Sequence, residues 1–481
     1  MSIVLEDSDY RNMLANRELL TEEMKEDYTQ AVQNIVDRGN VVDITLLVKG
    51  FKDSVKSKGV MENLLVKIEG YLGQHTDTDW VITVSSSLKL MEGVSDNWMN
   101  ILIRRLLDDD LIETYRKNIG KLTEEDMRIN VIKLLEIRKE EGIIEDKINY
   151  VLKGLNSDSE KDGVSLVTKQ KEVEDKIFHL ADLDNISIKE YYESSDKREE
   201  CIRNIEEKER IIIPRAYKDF IVKFGGWSSS FEVNGISYNN NCELESLTEI
   251  KREKEDCIEY DIEGYDILEK KLLIDSTDGY LILLDIPTGI LIGWEQYNNA
   301  CVGIYKNFND YVLDMLDSFI EDAEYQVKER LNSIISRLKN DESRHTLTDG
   351  ISEEDIVKLE NSLGVRLPYD YREFLKVTNG AEINTNGVTL YGVHTEDKGE
   401  REEFDKYLNE NLIEELHEFG FPEGFLSVGE IGNGDEIMID MEFRDYTVVY
   451  FDHEIVGYEE TWDCFLDWIE EELDAEDEDD Y

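Results

Sequence analysis

The chain has 481 residues, 40% of them hydrophobic, with 24 Tyr, 15 Phe and 6 Trp. That is too long for one ordinary core and apolar enough for several, which excludes wholesale disorder. Its 53 Lys and Arg against 111 Asp and Glu leave a formal net charge of −58, a field that opposes direct binding of nucleic acid or anionic membrane and attracts basic partners.

The five cysteines, Cys201, Cys242, Cys257, Cys301 and Cys464, show no CxxC spacing, and the six histidines are scattered. Neither a zinc site nor a disulfide framework is expected. MSIVLEDSDY lacks the basic and apolar regions of a signal peptide, and no run approaches the ~20 apolar residues of a membrane span. A cytoplasmic protein is expected, with no metal and no cofactor.

Residues 1–155 read as short amphipathic helices, an all-α domain. TEEMKEDYTQAVQNIVDRGN and TEEDMRINVIKLLEIRKEEG each open on Thr followed by acids and close near Gly, and Thr123 with Asp126 resembles a capping box. In DNWMNILIRRLLDDDLIETYRKN, the spacing puts Trp98, Ile101, Leu102, Leu106 and Ile112 on one buried face. Residues 156–195 are a polar linker and a connector helix. An α+β domain is expected at 196–320, a linker helix at 321–345, a second α+β domain at 346–473 and an acidic tail at 474–481.

The two α+β segments repeat one another at a constant offset of 154. ECIRNIEEKERIIIPRAYKDFIVKFGG, residues 200–226, lies over EDIVKLENSLGVRLPYDYREFLKVTNG, residues 354–380. Pro214 meets Pro368, Tyr217 meets Tyr371, Phe220 meets Phe374 and Gly226 meets Gly380. The pattern predicts a helix, a proline that starts the next helix, Tyr and Phe sharing its buried side, and a glycine C-cap turning towards strands. Downstream, LLIDSTDGYLILLDIPTGILIGW and SVGEIGNGDEIMIDMEFRDYTVVYFD read alike as strands, with Asp285 and Asp440 ending the apolar runs. GNGD reads as a type I′-like hairpin turn. The helices NFNDYVLDML and TWDCFLDWIEEEL close the copies, Phe308 against Trp462 and Tyr311 against Phe465 at the same offset.

A helix, LPxxYxxFL…NG, GNGDxIxxD, VVYFDHE and a final Trp/Phe-anchored helix together resemble the SUKH superfamily, specifically its Smi/Knr-type domain. Residues 350–473 carry the resemblance along their length. Residues 197–318 depart from it where FGG replaces TNG and STDG replaces GNGD. The helical region 1–155 is similar to all-α bacterial immunity domains. The resemblance implies two α+β domains, helices packed on a mainly antiparallel sheet, in an arrangement like bacterial polyimmunity proteins. Such proteins neutralise polymorphic toxins by binding, and no catalytic residues carry over. The fungal relatives imply an alternative, an intracellular regulatory scaffold of cell-wall assembly.

Charge suggests where binding would occur. Residues 346–481 hold 8 basic and 40 acidic residues, and past Tyr407 the only Lys or Arg is Arg444. An acidic surface can occupy the cationic cleft of a basic, nuclease-type toxin. The candidate contacts are Tyr369, Glu382, Glu396, Asp397, Glu414, Glu415, Glu418, Asp435, Glu436 and Glu442. A DNA-mimic reading would need regularly spaced carboxylates over an elongated surface. The acids Asp182, Asp184 and Glu193 echo a calcium loop, but Ser187 stands where the sharp turn needs Gly.

Overall fold

The computed structural model describes residues 7–138, 143–156, 163–183, 195–228, 232–237, 243–259, 268–277, 279–296, 298, 300–340, 344–383, 387–393, 408, 424–442, 446–452 and 457–479. The chain divides into two compact units. Met1–Gln170, Glu200–Ile221 and Val233–Tyr311 form the first; Lys171–Glu199, Val222–Glu232 and Val312–Tyr481 form the second.

The first unit begins with helices α1 (Ser8–Asn16), α2 (Glu22–Val36), α3 (Ile44–Leu47), α4 (Lys58–Glu69), α5 (Asp77–Ser87), α6 (Asp96–Leu106), α7 (Ile112–Ile119), α8 (Glu124–Ile137) and α9 (Ile143–Leu152). Asp7, Thr21, Thr76 and Thr123 each accept a backbone N–H two or three residues into the helix that follows, satisfying donors no turn can reach. Tyr115 donates to Asn130 at 2.7 Å and Asn130 to the Ser85 carbonyl at 3.0 Å, tying α7, α8 and α5 in a buried line. DNWMNILIRRLLDDDLIETYRKN breaks into α6 and α7. Trp98, Leu102 and Leu106 are buried as expected, but Ile101 is 39% exposed and Met99 and Ile103 take the core positions instead.

A four-stranded antiparallel sheet lies in the same unit, ordered β5 (Lys271–Thr277), β6 (Tyr280–Asp285), β7 (Leu291–Glu295) and β8 (Ala300–Tyr305). Four two-residue strands precede it: β1 (Trp227–Ser228), β2 (Glu232–Val233), β3 (Ile236–Ser237) and β4 (Glu243–Leu244). Side chains alternate between the two faces of a strand. Leu272, Leu284 and Leu291 point one way, while Leu273, Leu281, Leu283 and Ile292 point the other and join the core of the N-terminal helices. Both faces are buried, so the strands are apolar on both sides. The sequence reading separates 1–155 from 196–320; their cores are continuous.

A charged cluster sits inside that continuity. Arg138, at the end of α8, donates to both carboxylate oxygens of Asp285, at 2.6 and 3.0 Å. Lys271 donates to Asp285 at 2.7 Å, Thr288 donates its hydroxyl to it, and Asn149 accepts from Arg138 at 3.2 Å. The side chains of Asp285 and Lys271 are 0% and 2% exposed. Burial alone would push the Asp285 carboxyl up, but Lys271 and Arg138 outweigh it and hold it well below the usual carboxylate range. Burial lowers the Lys271 ammonium, opposed by Asp285.

Before the four-stranded sheet in the chain come α10 (Gly163–Leu183), α11 (Ser195–Glu209), α12 (Arg215–Phe224) and α13 (Glu245–Glu259). The expected closing helix at 307–316 and the linker helix at 321–345 are one uninterrupted helix, α14 (Phe308–Asn340). Nothing in the intervening sequence breaks it: neither Pro nor Gly occurs between 308 and 340.

The second unit contains α15 (Glu353–Leu363), α16 (Tyr369–Val377) and α17 (Phe465–Asp479) against a seven-stranded antiparallel sheet. Its strands are β9 (His345–Leu347), β10 (Ala381–Ile383), β11 (Val388–Leu390), β12 (Phe425–Glu430), β13 (Glu436–Asp440), β14 (Val448–Asp452) and β15 (Gly457–Trp462) in spatial succession. Ile437, Ile439 and Val448 face the helices. Met438, Val449 and Phe451, on the opposite face, form a separate small cluster with Phe425.

The two α+β segments repeat in geometry as well as in letters. Glu206 accepts the Ile213 N–H at 2.9 Å and Glu360 accepts the Leu367 N–H at 2.9 Å, each just before the proline. The same two acids pair with Lys218 and Arg372. Both sheets carry a register shift at matching positions, between Leu273 and Asp275 and between Ser427 and Gly429. The closing helices correct the pairing drawn from sequence. Phe308 packs on Tyr217 and Phe220, both at 5.1 Å, as Phe465 packs on Tyr371 at 4.8 Å and Phe374 at 5.0 Å. Phe308 therefore takes the place that Phe465 takes, three positions beyond the constant offset of 154, while Trp462 is the last residue of β15. The helix that Phe465 opens continues to Asp479, through the segment expected as a tail.

Removing one partner of a buried ion cluster leaves charge uncompensated. Asp285→Asn, which strands Arg138 and Lys271 together, is expected to cost about 3–5 kcal/mol of stability at pH 7. Because the folded carboxyl lies below its unfolded value of about 3.9, its contribution is complete above that value and is lost as pH falls towards the folded one. Urea unfolding at pH 7 and pH 3 should show the gap between wild type and variant narrowing in acid.

Candidate partner-binding surfaces

The stretch from Leu363 to Gly380 is architectural. Pro368 is the N-cap of α16, one position earlier than expected, and Tyr371 and Phe374 are fully buried with Phe465. Asp370 accepts from its own helix at Tyr371 and from Leu466 at 3.1 Å, tying α16 to α17. Burial pushes its carboxyl up, against those two bonds. The helix ends at Thr378 rather than on glycine. Gly380 instead makes the step into β10 at φ +89°, and a Cβ there would lie 2.8 Å from the Leu390 carbonyl oxygen. Gly226 likewise has positive φ, +147°.

Tyr369, proposed from sequence as a contact, is already engaged. Its ring lies edge-on to His179 of α10 at 5.3 Å, with the Lys328 ammonium 5.8 Å from its centroid. His179 in turn sits 2.9 Å from Glu324. Bonding to Tyr369 and Glu324 raises the Lys328 ammonium, and burial raises the Tyr369 phenol.

The acids of the GNGD turn are likewise turned inward. Gly434 donates to the Ile431 carbonyl and Ile431 to the Asp435 carbonyl, both at 2.8 Å. With Gly434 at φ +94°, this is a three-residue loop with a bulge, not the two-residue I′ type, because Gly434 supplies the one left-handed residue such a loop needs. Asp435 is 7% exposed and accepts from Asn433; Glu436 is 5% exposed and accepts from Tyr391 at 3.1 Å and from Ser427. Burial first, then Glu436 and Glu430, raise the Tyr391 phenol. Neither acid stands as a surface contact. The sequence reading does not reach Tyr391 and Ser427; Ser427 is a polar residue at an outer-face position of β12, and Tyr391 follows directly on β11.

Of the other candidates, Glu382 is half-buried on β10 opposite Thr389 and Thr346, and Glu442 is exposed. Glu396, Asp397, Glu414, Glu415 and Glu418 lie outside the described residues, as do Asp184 and Glu193. Asp182 faces Arg366 at 3.7 Å.

The acids of α17 divide between internal and external roles. Arg330 of α14 meets Asp467 and Glu470 at 2.7 Å each, and Arg337 meets Asp474 at 2.8 Å. Glu471 accepts from Trp462 at 2.7 Å and Glu472 from Tyr450. Bonding to Glu470 and Asp467 holds the Arg330 guanidinium above its ordinary value. Lys358 and Lys376 sit on two carboxylates each, as Arg372 does. These cations are committed at short range, so they do little to offset the field of the remaining acids.

An open cleft of about 530 Å³ lies beside the helix–proline–helix turn, lined by Val357, Glu360, Asn361, Gly364, Val365, Arg366 and Arg372. Glu360 is held by Leu367 N–H and Arg372, so the cleft's central charges serve the turn itself. Among the described residues no group of three His, Cys, Asp or Glu could hold a metal ion, and no helix is long and apolar enough to cross a membrane.

Residues 350–471 match the model of the SMI1 / KNR4 family (SUKH-1), and residues 15–115 match that of Immunity protein 30. Both ranges leave out 196–320. No curated protein matches the chain.

The packing of Tyr369 makes its substitution a stability effect. Tyr369→Ala removes an aromatic pair and a cation–π contact, together about 1–2 kcal/mol. Thermal unfolding of the full chain should register that loss, and binding by the remaining folded protein should be unchanged.

Proposed function

We propose that the chain is an immunity protein against polymorphic toxins, acting by tight, non-catalytic binding in the cytoplasm. The observation that carries this reading is the presence in one chain of a match to Immunity protein 30 and a match to SUKH-1. The regulatory-scaffold alternative accounts for the second match and leaves the first without a role.

Residues 196–320 are, on this reading, a divergent second SUKH copy. Support comes from the repeated glutamate bond before proline, the repeated Tyr–Phe–Phe cluster and the repeated strand irregularity. The arrangement is that of a polyimmunity protein.

The target is a basic toxin domain, of nuclease type. Its cationic cleft would be drawn by the field of a chain with net charge −58, and desolvated charge pairs would hold the complex. Glu442, Glu382 and the acids at 396–397 and 414–418 are the contact candidates. Asp435 and Glu436 act there only indirectly, by shaping the turn.

The test is co-expression of the full chain with toxin domains from its host and close relatives, followed by association kinetics on any neutralised toxin. Protection from a basic toxin is expected, with an on-rate falling at least about tenfold between low and high salt. An on-rate indifferent to salt would sink the steering mechanism. Absence of protection across the panel would sink the immunity reading.

A further inference from the structure

The repeat allows the outer faces of the two sheets, those turned away from the Tyr–Phe helices, to be compared position by position. Lys271 pairs with Asp285 as Phe425 pairs with Asp440. Leu273 and Leu283 correspond to Ser427 and Met438, and Leu283 with Ile292 to Met438 with Val449. Leu281 with Trp294 corresponds to Glu436 with Phe451. Where the C-terminal face carries Ser and Glu, the middle face carries Leu and Leu. That apolar surplus is covered by the N-terminal helices in one core.

The covering layer also reaches the corner and the edge of the sheet. At the corner, Arg138 grips Asp285 through both oxygens. At the edge, β8 is the terminal strand, and its Cys301 carbonyl accepts from Arg128 of α8 at 3.1 Å. Lys306 reaches the Gly120 carbonyl at 3.4 Å, and Lys270 pairs with Glu145. A face, a corner and an edge are thus all engaged by one helical layer.

We infer that the outer face of the middle sheet is a docking platform for the chain's own N-terminal helices, so that these helices and the middle sheet act as one binding module and the middle region offers no separate face to a foreign partner. The inference rests on reading residues 196–320 as a second copy of the C-terminal domain. It reduces three candidate modules to two. The chemistry of the occupant is specific: a helical layer presenting apolar side chains, with one arginine placed to meet the carboxylate that ends β6.

Two thiols report on it within the full chain. Cys301 and Cys464 are both free and buried, the first in the shared core and the second in the C-terminal core. Burial raises the Cys301 thiol to about 11, which slows its alkylation further. Both should resist iodoacetamide in the wild type. Arg138→Ala should raise Cys301 alkylation at least about tenfold with Cys464 unchanged, and hydrogen exchange should rise together in α8, β6 and β7. Release of α8 and α9 with Cys301, β6 and β7 still at wild-type rates would overturn the inference. Should that variant not fold, wild-type protein in sub-denaturing urea decides: one common urea dependence for Cys301 alkylation and α8 exchange supports a single module, and two distinct dependences refute it. Neither readout involves a toxin, so failure of the immunity reading would leave this result intact.

Discussion

A carboxylate can be taken wholly out of water only where opposite charge and hydrogen-bond donors replace its hydration. Asp285 imposes that condition on the first half of the molecule. It lies at the end of β6, with Lys271 opposite on β5, Thr288 in the following turn and Arg138 arriving from the N-terminal helices. Three separate stretches of sequence must therefore come together before the site is tolerable. Apolar contact between helices and sheet supplies the larger driving force but has little directional preference. The ion cluster fixes the register in which that contact is made.

In the C-terminal unit the corresponding constraint is local. Glu360 satisfies the last N–H before Pro368 and neutralises Arg372, so the helix–proline–helix turn is determined by residues within twenty positions of one another. In the middle segment Glu206 makes the same two contacts, with the Ile213 N–H and with Lys218. A turn that completes its own hydrogen bonds can be carried on two very different surfaces. The surplus acids then act in two ways. Some, such as Asp467, Glu470 and Asp474, hold one helix against another through arginines; others, such as Glu442, remain in solvent and contribute to the long-range field.

Much of this could be read from the letters. The constant offset, the Tyr–Phe pairing and the threonine caps are local patterns, and local patterns survive in sequence. What escaped depended on distant partners or on small insertions. At offset 154 Phe308 falls on Trp462, aromatic on aromatic; ring packing assigns it to Phe465. Asp435 and Glu436 looked like exposed turn acids because hairpin tips usually are. Their burial depends on Asn433, Ser427 and Tyr391, of which the last lies 45 positions from Glu436. Tyr369 fell off the buried helical face, as its spacing implied, yet it is covered by His179 and Lys328 from other helices. Arg138 stands in the charged run EIRKEEG, whose own acids are nearer in sequence than its partner Asp285, 147 positions away.

The shared core of the N-terminal helices and the middle sheet bears on how such a chain can be reassembled by recombination. A crossover in the polar linker near residue 160 would pair foreign helices with a leucine-rich face and an inherited Asp285, and would expose both unless the incoming helices brought an arginine to the same corner. A crossover beyond Tyr311, where the first unit ends, would carry the helices, the middle sheet and the Phe308 cluster together. Cassettes that travel intact through genomes should therefore be cut after the middle sheet, and residues on α8 and on β6 and β7 should vary in concert although more than a hundred positions separate them.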